Sequence, residues 1–234
     1  MEKKMTRVLT VLSAADKWTR ADGSTYDTGI WAEEFILMDE ALINAGFSVD
    51  LATPGGVSPT IDALSLDTKI IGPETAERYR EYLAQNAKRL NNPLVLADID
   101  PDQFDAIVIP GGHGPVEDLY KDPDMGRILV RANTASKLIA AVCHGPAALL
   151  AASDENGWPF AGRRMTSFTD EEEIEFGTAA NAPWLLADSL RKRGAVFEQG
   201  PNWGSYVVRD GNLLTGQNPT STAALAEAVI GALR

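Results

Sequence analysis

The chain has 234 residues and a formal net charge of −12, with 44% apolar and 23% charged residues. That length suits one α/β domain over residues 1–234, and the acidic balance disfavours attraction to nucleic acid or to an anionic membrane. One cysteine and two histidines exclude an internal disulfide, a multi-cysteine metal cluster and a three-histidine metal site, so no metal or cofactor is expected.

Met1-Glu2-Lys3-Lys4 leads into a strand-like run, Val8-Leu9-Thr10-Val11-Leu12. That run is too short and too polar at its end for a signal peptide. No apolar run reaches the roughly 18 residues of a membrane span, and a cytoplasmic location is expected. Residues 7–14 read as a first buried strand. Residues 31–45 have helical spacing and stop at Gly46. Residues 48–52 form the next strand, closed by Thr53-Pro54-Gly55-Gly56, a loop signal. Residues 73–85 look helical with one polar face. Residues 105–110 are a short apolar strand running into Gly111-Gly112-His113-Gly114. A helix over 124–137 precedes a buried strand over 138–143, and a further helix follows at once over 146–152. Asp210-Gly211 marks a hairpin between 207–209 and 213–215, and a helix over 220–233 follows. Residues 58–66 and 86–99 read as loop insertions beside the site. Continuous apolar strands alternating with helices predict a mainly parallel sheet covered on both faces. In such sheets, sites lie at the carboxyl ends of the strands.

The chemistry concentrates in Ala141-Val142-Cys143-His144-Gly145-Pro146. A lone cysteine is ordinarily a small buried hydrophobe. Here a strand runs straight into a helix, with small residues two before and two after the cysteine, as in a nucleophile elbow with Cys in place of Ser. Pro146 fits the first helical turn. The positive end of that helix is expected to lower the thiol pKa. Gly111-Gly112-His113-Gly114 is either a simple turn or a donor loop whose amides, with that of His144, form an oxyanion hole. Glu33-Glu34 lies on an otherwise apolar helix, and spacing alone favours a solvated acid there. The acidic run over residues 170–175 is either a capped, exposed helix start or the source of an acid that orients a histidine.

Together these stretches resemble the DJ/PfpI superfamily, the class I glutamine amidotransferase-like fold, and within it the branch of heat-shock chaperones and glutathione-independent glyoxalases. The resemblance rests on Thr28-Gly29-Ile30-Trp31-Ala32-Glu33-Glu34-Phe35, the stretch from Ala45 to Gly56, Pro110-Gly111-Gly112-His113-Gly114-Pro115, and Ala141 to Pro146. It extends through Met165-Thr166-Ser167-Phe168-Thr169-Asp170-Glu171-Glu172-Glu173 and Leu214 to Ser221, in order along the chain. It implies a flavodoxin-like three-layer α/β sandwich and a homodimer. It assigns Cys143 as nucleophile, His144 as neighbouring acid/base, Glu34 as the carboxylate beside the thiol, and Glu173 as the acid that orients His144, with Glu172 one register slip away. Gly112 and His113 fall in the substrate-binding and oxyanion loop. Glutaminases of this fold use a later histidine in a His-x-Glu pattern, and no histidine follows His144 here. A longer bacterial chaperone relative carries a metal site that this chain, with its two histidines, is not expected to share.

The implied function is conversion of a small reactive dicarbonyl such as methylglyoxal to a hydroxyacid without glutathione. That is lyase chemistry of the D-lactate dehydratase type, through a covalent cysteine intermediate. The alternatives are a protein deglycase, a holdase chaperone in a stress response and, further off, a cysteine peptidase.

Overall fold

The computed structural model describes residues 5–234, and residues 1–4, part of the stretch weighed as a signal peptide, lie outside the described residues. Among the described residues, seven strands build one sheet: β1 (Arg7–Val11), β2 (Ser48–Thr53), β3 (Leu94–Val95), β4 (Ala106–Ile109), β5 (Leu138–Val142), β6 (Val207–Asp210) and β7 (Leu213–Gly216). Their spatial order is β6-β7-β5-β4-β1-β2-β3. Every neighbouring pair is parallel except the β6–β7 hairpin. The longer helices are α1 (Ala32–Asn44), α2 (Pro73–Gln85), α3 (Pro123–Thr134), α4 (Asp170–Phe176), α5 (Leu186–Lys192) and α6 (Thr222–Leu233).

Strand side chains alternate between the two faces, and both faces are apolar because helices cover both. Leu9, Val11, Ile107, Ile109, Ile139 and Leu213 enter a core shared with Ile128 and Leu129 of α3 and with Leu186 and Leu190 of α5. Val8, Val108, Ala140, Val142 and Leu214 meet Met38 and Leu42 of α1 and Leu225 and Val229 of α6. This is the mainly parallel three-layer sandwich that the sequence predicts.

Two local expectations are corrected. The segment after Cys143 is a 3₁₀ helix, Gly145–Ala151, instead of an α-helix over 146–152. Its winding starts with Ala147 N–H donating three residues back to the His144 carbonyl at 3.0 Å. Residues 86–99 contain strand β3 at the sheet edge, with three strands between it and β5, so they are not a loop beside the site. Residues 58–66 act from behind: Ile30 N–H donates to the Thr60 carbonyl at 2.8 Å and Ala32 N–H to Ser65 Oγ at 3.0 Å. They thereby fix the chain entering α1.

Gly145 lets the 3₁₀ helix lie directly on β4, since a Cβ there would come within 2.2 Å of the Ile109 carbonyl oxygen. Gly145→Ala is therefore expected to lose about 1–3 kcal/mol of stability. Gly231→Ala on α6, where nothing lies within 4 Å of the new carbon, is expected to gain about 0.5–1 kcal/mol. Urea unfolding of both variants checks this, and a Gly145→Ala protein as stable as wild type contradicts the packing argument.

Candidate active site

Cys143 occupies the junction between β5 and the 3₁₀ helix with φ of 60°. That left-handed conformation costs a non-glycine residue about 1–3 kcal/mol. Two backbone hydrogen bonds hold it. Cys143 N–H donates to the Gly216 carbonyl at 3.0 Å, and the Cys143 carbonyl accepts from Phe168 N–H at 2.9 Å. The turn leaves the sulfur near the backbone N–H groups of Gly112 and His144, which favour its anion. Gly112 can approach because it lacks a Cβ, which would lie 2.3 Å from the Gly29 carbonyl oxygen, and because it holds φ of 84°.

A buried triad stands beside the thiol. His144 Nδ1 is 3.4 Å from Cys143 Sγ, and His144 Nε2 is 2.7 Å from Glu173 Oε2. His113 Nε2 lies 2.8 Å from the other oxygen of the same carboxylate, Oε1, which also accepts from Thr178 Oγ1 at 2.5 Å. Burial opposes a charge on Glu173, but His144 and His113 outweigh it and hold the carboxyl well below the usual carboxylate range. Burial, and then charge on His113, push the His144 pKa below its ordinary value. A neutral His144 facing an ionised carboxylate must donate through Nε2–H. The bare Nδ1 of His144 therefore faces the sulfur and can accept its proton.

Glu34 is buried on α1, with Oε2 accepting from Gly111 N–H at 2.6 Å. Oε1 has no well-aligned partner among the described residues, and the Cys143 thiol is close enough to act on the carboxyl as a donor. Burial raises the Glu34 pKa to about 8, so it is largely protonated at neutral pH. The thiol is not lowered as the helix-dipole argument expected. Burial and then the Glu34 charge push it up, against the Gly112 and His144 amides. The short 3₁₀ helix aligns few peptides, and desolvation of a fully enclosed thiolate outweighs it. Once Glu34 carries the proton, its charge no longer opposes thiolate formation, and its O–H can donate to the sulfur.

The sulfur opens on a narrow cleft lined by Trp31, Phe168, Phe176, Trp203 and Pro219, with Gly112, His113 and His144 at its floor. His113 stacks on Trp18 at 4.7 Å between ring centroids. Trp18 belongs to a small hairpin, Lys17–Thr19 with Thr25–Asp27.

The sequence profile of the DJ-1/PfpI family matches residues 29–232. The chain belongs to the DJ-1/PfpI family. Among DJ-1/PfpI relatives it is 28% identical to Glyoxalase 3 of Candida albicans, over 97% of this chain and 98% of that one. It is 29% identical to the protein/nucleic acid deglycase HchA of Pseudomonas aeruginosa, over 86% of this chain and 72% of that one. The solved structure of glyoxalase III from Candida albicans superposes on 98% of both chains, with a TM-score of 0.83 at 27% identity.

The DJ-1/PfpI fold thus brings Cys143, His144, Glu34, Glu173, Gly112 and His113 together, and Glu173 takes the histidine-facing register. Glu172 does structural work instead. It completes the Thr169 capping box, and its Oε1 accepts from Trp203 N–H, Gln217 Nε2 and Asn218 Nδ2. Sequence reasoning put His113 in the oxyanion loop and missed that its ring shares Glu173 with His144. The histidine count excludes a three-histidine metal site but not a two-histidine, one-carboxylate set, and donor atoms of His113, His144 and Glu173 do lie within 4.8 Å of one another. Their nitrogens and oxygens already satisfy each other at 2.7 and 2.8 Å, which suits a proton relay, and an ion there would have to displace both Nε2 protons.

The Glu34 assignment fixes a pH dependence. Unfolding returns Glu34 from about 8 to its ordinary 4.5, so between those values the folded chain binds the extra proton and stability falls as pH rises. Glu34→Gln removes that proton. Its stability relative to wild type is expected to grow from about pH 5 to about pH 8, by on the order of a few kcal/mol. Urea midpoints across that range provide the measurement, and a difference that stays flat contradicts a protonated Glu34.

Proposed function

We propose that this protein converts methylglyoxal-type dicarbonyls to 2-hydroxyacids without glutathione, with Cys143 as covalent nucleophile. The observation that carries this reading is the Cys143 sulfur 3.4 Å from His144 Nδ1 and beside the buried Glu34, on a left-handed turn that opens into the cleft. Near-full-length similarity to Glyoxalase 3 supports it.

In this mechanism His144 Nδ1 accepts the thiol proton as the sulfur bonds to the aldehyde carbon. The oxyanion of the hemithioacetal is met by the Gly112 and His144 amides. His144 passes the thiol proton to that oxygen. Its freed Nδ1 takes the hydrogen on the same carbon as a proton while the Glu34 O–H donates to the ketone oxygen, which gives an enediol. His144 then delivers its proton to the neighbouring carbon, and Glu34 takes one back from the hydroxyl on the sulfur-bearing carbon, which leaves the thioester. The aldehyde carbon is oxidised as the ketone carbon is reduced, so no outside oxidant is needed. Water cleaves the resulting thioester, releasing lactate and regenerating the thiol. Glu173 keeps His144 in the tautomer that presents Nδ1 to the sulfur. The protein acts in this reading as a cytoplasmic homodimer without metal or cofactor, in a lyase of the D-lactate dehydratase type.

The HchA similarity favours a second reading, repair of glycated protein or nucleic acid. Burial argues for the smaller substrate, because Cys143 is 4% exposed at the floor of its cleft. A holdase chaperone would use exposed apolar surface and survive loss of the thiol.

Lactate formation from methylglyoxal in glutathione-free buffer is the test. Cys143→Ala is expected to lower kcat/KM by at least about 10³-fold. Glu173→Gln, which cannot hold both Nε2–H groups as an anion, is expected to lower kcat by about 10²–10⁴-fold. Full turnover in the Cys143→Ala protein overturns the reading.

A further inference from the structure

The chemistry proposed for Cys143 uses none of the aromatic side chains that wall its cleft. Those rings form a continuous chain from the floor to the rim. Phe168 tilts against His144 at 4.6 Å between centroids, Trp203 meets Phe168 edge to face at 5.6 Å, and Phe176 lies 6.4 Å from Trp203 and 6.3 Å from Trp31. At the rim Trp203 is 41% exposed. Among the described residues, no Lys, Arg, Asp or Glu lines the cleft.

Trp203 is held in place with unusual effort for an exposed tryptophan. Its backbone has φ of 59°, a conformation disfavoured for a bulky residue. Its N–H donates to Glu172 Oε1 at 2.8 Å, its carbonyl accepts from Thr220 Oγ1 at 2.9 Å, and its indole Nε1–H donates to Glu175 Oε2 at 2.6 Å. Both glutamates lie outside the cleft lining. The polar edge of the indole is thereby engaged elsewhere, and what the ring offers the cleft is apolar surface.

We propose that this cleft selects neutral 2-oxoaldehydes bearing an aryl substituent, over methylglyoxal and over dicarbonyls that carry a carboxylate. The inference rests on the reading of Cys143 as the thiol that attacks the aldehyde. With the aldehyde carbon at the sulfur and its oxygen toward the Gly112 and His144 amides, the substituent on the ketone carbon projects toward the aromatic rim. A methyl group is too short to reach the rings at the rim. An aryl ring meets Phe176 and Trp203 in edge or offset contacts and sheds much of its water. A carboxylate there would lose hydration with no cationic side chain in the lining, and would face the Glu175 carboxylate behind the Trp203 indole. The bond changes are those of the methylglyoxal reaction, and the product is an aryl 2-hydroxyacid.

The test compares initial-rate kcat/KM for phenylglyoxal (as mandelate formed), methylglyoxal (as lactate formed) and 4-carboxyphenylglyoxal, with the Cys143→Ala protein as the background for each. Phenylglyoxal is expected to exceed methylglyoxal by at least about tenfold, the scale of burying one aromatic ring, and to exceed its carboxylated analogue by at least as much. In Trp203→Ala and in Phe176→Leu, each checked for an unchanged melting profile, the phenylglyoxal-to-methylglyoxal ratio is expected to fall severalfold. Turnover of methylglyoxal with phenylglyoxal no better, or a ratio that neither variant moves, overturns the selectivity and leaves the thiol chemistry standing. Failure to turn over any of the three overturns the thiol reading, and this inference falls with it.

Discussion

The site depends on one backbone constraint, the left-handed conformation of Cys143 at the end of β5. A residue with a Cβ resists that conformation, and the surrounding sheet supplies what offsets it. The Gly216 carbonyl of β7 takes the Cys143 N–H, and Phe168 N–H takes the Cys143 carbonyl. The absence of side chains at Gly145 and Gly112 lets neighbouring backbone close in. Every other distance at the site follows from where that turn puts the sulfur. The amides of Gly112 and His144 reach it, His144 Nδ1 stands at 3.4 Å, and Glu34 approaches from α1. An unstrained turn would return the thiol to the core as an ordinary small hydrophobe.

Around that fixed sulfur, two buried carboxyl groups are driven to opposite protonation states by their surroundings. Glu173 faces two imidazoles and a hydroxyl and stays ionised. Glu34 faces a thiol and one amide and keeps its proton to about pH 8. Such a pair separates acid from base within one small site. The ionised member holds the His144 imidazole, and the neutral member can donate a proton beside the sulfur without adding a second anion next to it.

Much of this was legible in the chain because it is local. The elbow shows in Ala141 to Pro146, since a loopless strand-to-helix junction flanked by small residues has few other uses. The helix of Glu34 is bounded correctly by spacing and by Gly46. The burial of Glu34 was also available, for Ile30, Glu34, Met38 and Leu42 follow one another at four-residue intervals and all are buried. Reading Glu33-Glu34 as a polar pair hid that stripe. Other features were not legible. That one carboxylate serves both His113 and His144 depends on three segments converging from β4, β5 and α4. The thiol pKa was misjudged because the dipole argument is local, whereas enclosure by α1 and the aromatic wall is a property of the assembled fold. The edge strand β3 was read as a loop because two residues carry too little periodicity to show.

The covalent role of Cys143 is the claim on which the functional account turns, and rapid-quench intact-mass spectrometry during methylglyoxal turnover tests it most directly. The account predicts a transient species heavier than the free chain by one methylglyoxal, mapped by peptide analysis to Cys143, that forms and decays at rates compatible with lactate release. Lactate production with no adduct on Cys143 at any quench time would contradict it.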